Sequence, residues 1–286
     1  MARLLSGKEV AAWMQQRSKE AVEKLRKNGV TPCLAIFRVG ENKSDLSYEK
    51  GLLKSCQSLD IMCERKAFPE DVAQEELLRN IAQANEDPQI HGILVFRPLP
   101  AHIDQEQVEN AVNPEKDVDG MTAASMAHAF TGGGPGFLPC TPQACMEILD
   151  YYQIDCKGKK AAVIGRSLVV GKPAAMMLLE RNATVTICHS KTENLREEVR
   201  DADIVLAAVG RAGFLDGSYF SPGQIVLDVG IHVNAQGKLC GDVDQTGAEA
   251  VVEAITPVPG GVGSVTTSVL LEHVVKAACA AVRKSR

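Results

Sequence analysis

Apolar positions along this chain recur at two spacings, and the changes from one to the other outline its elements. Ser6-Gly7-Lys8-Glu9 places a glutamate three residues after a serine, which opens a helix. Val10, Met14, Ala21 and Leu25 continue at roughly helical intervals, and Asn28-Gly29 can close the segment. The run Cys33-Leu34-Ala35-Ile36-Phe37-Arg38-Val39 reads as a buried strand that stops at Gly40. Beyond it the pattern predicts a helix over 47–59, a strand over 61–68, a helix over 74–85 and a strand over 92–96. Pro98 and Pro100 end that last strand.

Thr131-Gly132-Gly133-Gly134-Pro135-Gly136 breaks the pattern and marks a loop and a domain junction. Thr141-Pro142 reads as an N-cap with a first-turn proline, opening a helix toward Tyr152. Strands follow over 161–164, 184–188, 204–209 and 225–229, with helices over 170–181 and 194–199 between the first of them. A last apolar stretch, 268–282, reads as a helix. Strands that alternate with helices imply βαβ units and mainly parallel sheets, so the fold class is α/β.

Composition narrows this picture. A chain of 286 residues, 45% apolar with mixed charges, can hold two ordinary domains with real cores. A net charge of −5 argues against nucleic acid or an anionic membrane as the main partner. No continuous apolar run approaches a membrane span, and the start, Met1-Ala2-Arg3-Leu4-Leu5-Ser6, turns polar at once. Nine cysteines lie at irregular spacings with no Cys-x-x-Cys pair, which suggests reduced thiols in a cytoplasmic protein. Cys140 and Cys145 lack a matching second pair or a nearby His, so no metal site is expected.

The segment from Ala161 to Gly171 reads as strand, tight turn and helix start, a place where backbone N–H groups can hold a pyrophosphate. Ser167 stands where a dinucleotide fingerprint has its second glycine, so the turn alone also suits an ordinary strand-to-helix corner. The next strand ends in Cys188-His189-Ser190-Lys191, with no carboxylate for a ribose hydroxyl. Ser190, Lys191 and Arg166 suit a 2′-phosphate, which favours NADP over NAD. His189 has no acidic or thiol company, so a capping or phosphate-edge role fits it better than metal ligation. Ala207-Ala208-Val209-Gly210 and Asp228-Val229-Gly230-Ile231 end later strands, where ligands of such folds lie, although ordinary strand-end glycines look the same.

Lys116-Asp117-Val118-Asp119-Gly120, Thr256-Pro257-Val258-Pro259-Gly260-Gly261-Val262-Gly263 and the turn from Val163 to Pro173 together resemble the methylenetetrahydrofolate dehydrogenase/cyclohydrolase family. The resemblance covers nearly the whole chain. It implies an N-terminal folate domain, 1–137, completed by a C-terminal helix, 268–286. It also implies a Rossmann-like domain over 138–267, an active-site cleft between the two, and a homodimer. By the same resemblance, tetrahydrofolate derivatives would meet Tyr48, Phe96, Pro98, Leu99, Asp119, Pro259, Gly260, Gly261 and Gly263. The cofactor would meet Thr141, Gly165, Arg166, Ser167, Val170, Gly171, His189, Ser190, Lys191, Ala208, Val209, Gly210, Gly230, Ile231 and Thr266. Tyr48 and Asp119 would carry the catalytic roles, with Asp119 on the pterin.

The chain departs from the family at two catalytic positions. The family's Tyr-x-x-x-Lys becomes Tyr48 followed by Leu52, and its Val-Gln-Leu-Pro-Leu-Pro becomes Val95-Phe96-Arg97-Pro98-Leu99-Pro100. Lys50 and Lys54 turn about 200° and 240° away from Tyr48 around a helix, so neither replaces the amine. After the glycine-rich loop the family's Pro-Met-Thr is Ser264-Val265-Thr266. Loss of both members of a polar pair to apolar residues is nearly neutral for stability, which marks a changed site.

In the family's chemistry, a nitrogen lone pair expels hydride from the methylene carbon, so orientation suffices and no protein base is needed. Hydrolysis of the methenyl cation moves protons and calls for a group of tuned pKa. The expectation is therefore a dehydrogenase with weak or absent cyclohydrolase activity. The alternative is the family's bifunctional enzyme, with another residue or substrate-assisted water serving the second step. A shikimate-type dehydrogenase, which needs a Lys/Asp pair not found here, and a catalytically silent folate-binding protein are the remoter readings.

Overall fold

The computed structural model describes residues 1–284. The chain forms two compact units. One consists of Met1–Trp13 with Pro139–Val269, the other of Met14–Leu138 with the chain from Leu270 onward. A two-residue strand, β1 (Arg3–Leu4), leads into the long helix α1 (Gly7–Lys27), which contributes residues to both units.

In the second unit the chain runs β2 (Cys33–Val39), α2 (Lys43–Ser58), β3 (Met62–Phe68), α3 (Gln74–Glu86), β4 (Gly92–Val95), α4 (Gln105–Ala111) and α5 (Ala123–Thr131). The strands form a parallel sheet in the order β3-β2-β4, with Phe37 opposite Val95. β2 and β4 are buried along nearly their whole length, as the apolar runs demand. β3 is an edge strand, and Glu64, Arg65 and Lys66 keep that edge polar. Ala35, Phe37, Leu77, Ile81, Ile93 and Val95 belong to the core of this unit. Gly92 leaves room where a β-carbon would come within 2.7 Å of Val118, so the loop carrying Asp119 lies directly on β4. A bridge from Ile93 to Asp117 ties the two together.

The first unit holds α6 (Cys140–Tyr151), β5 (Lys160–Ile164), α7 (Gly171–Glu180), β6 (Thr184–Cys188), α8 (Leu195–Arg200), β7 (Ile204–Ala207) and β8 (Ile225–Asp228). A short antiparallel pair, β9 (His232–Val233) and β10 (Leu239–Cys240), follows, then α9 (Gln245–Glu249) and β11 (Ala254–Ile255). Its main sheet is parallel, in the order β1-β11-β8-β7-β5-β6. The chain leaves β5 for β6 on one side and returns to β7 on the other. That reversal makes the carboxyl ends of β5 and β7 the natural crevice for a ligand. Finally α10 (Val262–Lys284) contributes to both units.

The structure corrects several sequence expectations. Residues 1–13 belong with the nucleotide-type sheet, because Arg3 and Leu4 pair with Ala254 and Ile255. The last helix starts at Val262 rather than 268, since Val262, Val265 and Val269 already form a buried stripe that the intervening glycines conceal. Gly263 and Thr266 therefore lie in its first turns, and residues 285 and 286 of the expected helix lie outside the described residues. Thr141 is not a cap: α6 begins at Cys140 with Pro139 in the cap position. Helix α10 is also long and apolar enough to cross a membrane, yet 61% of its apolar window is buried inside the protein. Its apolarity thus has a core explanation, unlike the expectation that no segment would reach that length.

Candidate functional site

Two sets of expected site residues form, one in each unit. In the second unit they gather at the end of β4. Glu49 is buried between Arg38 of β2, at 2.7 Å, and Arg65 of β3, and this fixes the rotation of α2. The helix then buries Glu49, Leu52 and Cys56 and leaves Tyr48 at the margin, 42% exposed. Its ring meets Phe96 with centroids 5.5 Å apart. Leu52, at 1% exposure, and Phe96, at 7%, are core residues rather than lining of an open polar site. So Tyr48 and Leu52, four apart and nominally on one face, differ in environment because the buried stripe includes only the second.

Asp119 follows a loop that is fixed by its neighbours. The fully buried Asp117 accepts N–H bonds from Gly120, Met121 and Thr122 and the Ser125 hydroxyl. His273 of α10 meets the Val118 carbonyl through Nδ1 at 2.8 Å. Arg97, overlooked by the sequence reading, donates to Asp119 at 2.7 Å and to Glu109 at 2.9 Å. Pro98 and Leu99 continue from it, exposed and half-buried.

In the first unit Gly165 has φ +143°, and a β-carbon there would stand 2.3 Å from the Ala208 carbonyl oxygen. Gly171 is as tight: its β-carbon would lie 2.2 Å from the Gly165 oxygen. The two glycines bring the ends of β5 and β7 and the start of α7 into backbone contact. This is the close approach that a pyrophosphate site requires. Ser167 modifies the expectation of free N–H groups, since its Oγ accepts from Val170 at 3.1 Å and Gly171 at 3.4 Å. Arg166, Ser190 and Lys191 are exposed, as a group meeting a 2′-phosphate must be. The His189 ring accepts the Lys191 N–H at 3.1 Å, a turn-forming role. Thr141 is half-buried in α6, and Thr266 donates to the Val262 carbonyl of its own helix.

Two buried carboxylates shape the remaining strand ends. Asp242, missed in the sequence, accepts from Val209, Gly210 and Arg211 and contacts His232 at 2.8 Å. Asp228 accepts from Gly230, Asp242 and Val243. Gly230, Ile231, Pro259, Gly260, Gly261 and Gly263 then line one cavity of about 170 Å³. Among the described residues no group of three or more His, Cys, Asp or Glu side chains is arranged to hold a metal.

Burial drives Asp228 and His273 in opposite thermodynamic directions. It raises Asp228 to about 6, against its three N–H bonds, and lowers His273 to about 4, against its bond to Val118. Folded Asp228 binds more protons than the unfolded chain between its ordinary 3.8 and about 6, so its unit loses stability as pH rises through that window. Folded His273 binds fewer protons between about 4 and its ordinary 6.5, so its unit loses stability as pH falls. Each effect is on the order of 3 kcal/mol. Hydrogen exchange, corrected for intrinsic rate, should therefore show the first unit better protected at pH 4.5 and the second at pH 6.5. A parallel change in both would refute the assignment.

Comparison with known proteins agrees with this architecture. Residues 5–119 match the family described as tetrahydrofolate dehydrogenase/cyclohydrolase, catalytic domain, and residues 139–282 match its NAD(P)-binding domain. The chain is 48% identical to the bifunctional protein FolD of Clostridium kluyveri, covering 97% of this chain and 98% of that one. The crystal structure of the bifunctional enzyme FolD from Campylobacter jejuni, a methylenetetrahydrofolate dehydrogenase/cyclohydrolase, matches with TM-score 0.96 at 40% identity, over 98% and 99% of the two chains. The FolD of Trypanosoma brucei, solved with NADP cofactor and an inhibitor, matches with TM-score 0.92 at 33% identity over 99% of each chain. The two family models and these relatives span nearly the whole chain, and the chain belongs to the tetrahydrofolate dehydrogenase/cyclohydrolase family.

Proposed function

We propose that the chain oxidises 5,10-methylenetetrahydrofolate to 5,10-methenyltetrahydrofolate with NADP⁺, in one-carbon metabolism. The observation that carries this reading is the close-packed turn at Gly165, Gly171 and Ala208 in a member of this family. The residues fit a dinucleotide: the glycines leave a backbone cradle, and exposed Arg166, Ser190 and Lys191 suit a 2′-phosphate. The NADP named with the Trypanosoma brucei relative supports the same choice. When bound, the nicotinamide accepts the hydride. Tyr48 and Asp119 orient the folate, and the Phe96 ring, backed by the core, packs against Tyr48 from beneath. We further propose a homodimer in the cytoplasm, consistent with nine free thiols.

The name borne by the relatives backs a second step, hydrolysis to 10-formyltetrahydrofolate, better than it backs the sequence expectation of a weak or absent cyclohydrolase. The bifunctional reading therefore comes first, with Tyr48 and Asp119 as the polar candidates for handling its proton. One observation favours the contrary reading, a dehydrogenase alone: Leu52 and Phe96 are buried and neither can move a proton.

A paired assay decides between them. Purified protein is given methylenetetrahydrofolate and NADP⁺, with NAD⁺ in parallel, while nicotinamide reduction and methenyl absorbance are followed together. Methenyl decay faster than in enzyme-free buffer is expected for the bifunctional enzyme. Stoichiometric accumulation would establish the dehydrogenase alone, and no reduction at all would overturn both.

A further inference from the structure

Arg97 stands where the family pattern has Leu, directly after Phe96, and the changed strand end has acquired a cation. Its guanidinium is split between two acids, with Nη1 on Glu109 at 2.9 Å and Nη2 on Asp119 at 2.7 Å. Gln105 also donates to Glu109, at 2.9 Å. The three side chains are each more than three-quarters buried. Burial works against the Arg97 charge, and the two carboxylates more than offset it. The result is a permanent cation between two anions, with a net charge of −1 for the cluster.

The loop and the strand end that carry this arrangement are also held by other contacts. The Asp119 loop is already held by Asp117, which takes three backbone N–H groups, and by His273 on the Val118 carbonyl. The end of β4 is held by the Phe96 N–H on the Phe37 carbonyl at 2.9 Å. Replacing a partly buried ion pair with apolar groups is often neutral for stability. What Arg97 bears on beyond the loop is the orientation of the Asp119 carboxylate itself. Both residues project from backbone that is fixed independently, so the link is preorganised rather than incidental.

We propose that Arg97 is a positioning residue for folate, holding Asp119 aimed at the N–H groups of the pterin. This rests on the reading that Asp119 meets the pterin. It deepens that reading by assigning the selective orientation of the substrate to a cation absent from the family pattern. Without Arg97, Glu109 and Asp119 would lose the cation that now lies between them, and a carboxyl that loses a nearby positive charge gives up its proton less readily.

Arg97→Leu, which restores the family residue, and Arg97→Lys test this in the intact protein. Steady-state kinetics would be measured across pH, and tetrahydrofolate binding by calorimetry. Arg97→Leu should raise the KM for methylenetetrahydrofolate roughly tenfold or more and leave that for NADP⁺ within about twofold. The acid limb of kcat/KM should move to higher pH, and tetrahydrofolate binding should weaken in step. Arg97→Lys, which keeps the charge and loses the fork, should recover part of each, and it covers the case in which Leu impairs folding. Unchanged folate KM, binding and acid limb in a protein that turns over normally would overturn the proposal and leave the activity intact. Wild-type protein that binds tetrahydrofolate without turnover, with binding lost in Arg97→Leu, would sink the activity and uphold Arg97. If the wild type neither binds nor reacts, both fall.

Discussion

Asp119→Ala lowers kcat/KM for methylenetetrahydrofolate about a hundredfold, equivalent to about 2.7 kcal/mol at 1.36 kcal/mol per decade. The carboxylate is the acceptor proposed for the pterin, and hydrogen bonds to a charged group are the strong ones. The variant should fold normally. Its loop keeps the three N–H bonds to Asp117 and the His273 contact, and Arg97 keeps Glu109. A change in unfolding free energy within about 1 kcal/mol is expected for a pair that retains some solvent. The loss should fall on folate, with NADP⁺ affinity preserved. An activity within threefold of wild type would remove Asp119 from the substrate site and with it the basis of the folate contacts.

Gly165→Ala is the second large effect, and it acts through sterics. The new methyl group would stand 2.3 Å from the Ala208 carbonyl oxygen, at a φ of +143° that L-residues rarely adopt. Backbone must move at the ends of β5 and β7, where no flexible side-chain end can yield. A stability loss of about 2 to 3 kcal/mol is expected, together with loss of measurable NADP⁺ binding. Thermal unfolding and a calorimetric titration check the two parts separately. Wild-type affinity in the variant would show that the cofactor does not use this turn.

The fold was legible where local pattern is strong. β2, β4, β5, β7 and β8 are apolar runs with Gly or Pro close by, and these and β6 each lie within a residue or two of their expected places. β1 and β11 were not legible, because two-residue strands carry no periodicity and their pairing joins distant segments. The start of α10 was hidden by glycines that resemble a loop, although Val262, Val265 and Val269 hold helical spacing. In the site, Tyr48, Asp119 and Gly165 could be found by motif. Leu52 and Phe96 could be read as absences, but their burial could not. Arg97 was visible as a departure, yet its significance depends on Glu109, which sits on α4, a helix that no spacing announced. Asp228 and Asp242 act by collecting backbone N–H groups, and a sequence does not show which N–H groups converge.

Each unit is assembled from two separate stretches of the chain, and this bears on the order of events on the ribosome. Arg3 emerges first and must wait for Ala254 before the sheet has its outermost strand. At ordinary rates of synthesis that interval is on the order of ten seconds or more. The segment Met14–Leu138 is translated early as well, but Val274 and His273 are needed to cover Gly92 and Val118. That early segment therefore completes its unit last, after the other unit's residues have been made. The core of that early segment lacks its cover until Val274 has been made, and during that time its apolar face is what a chaperone would meet.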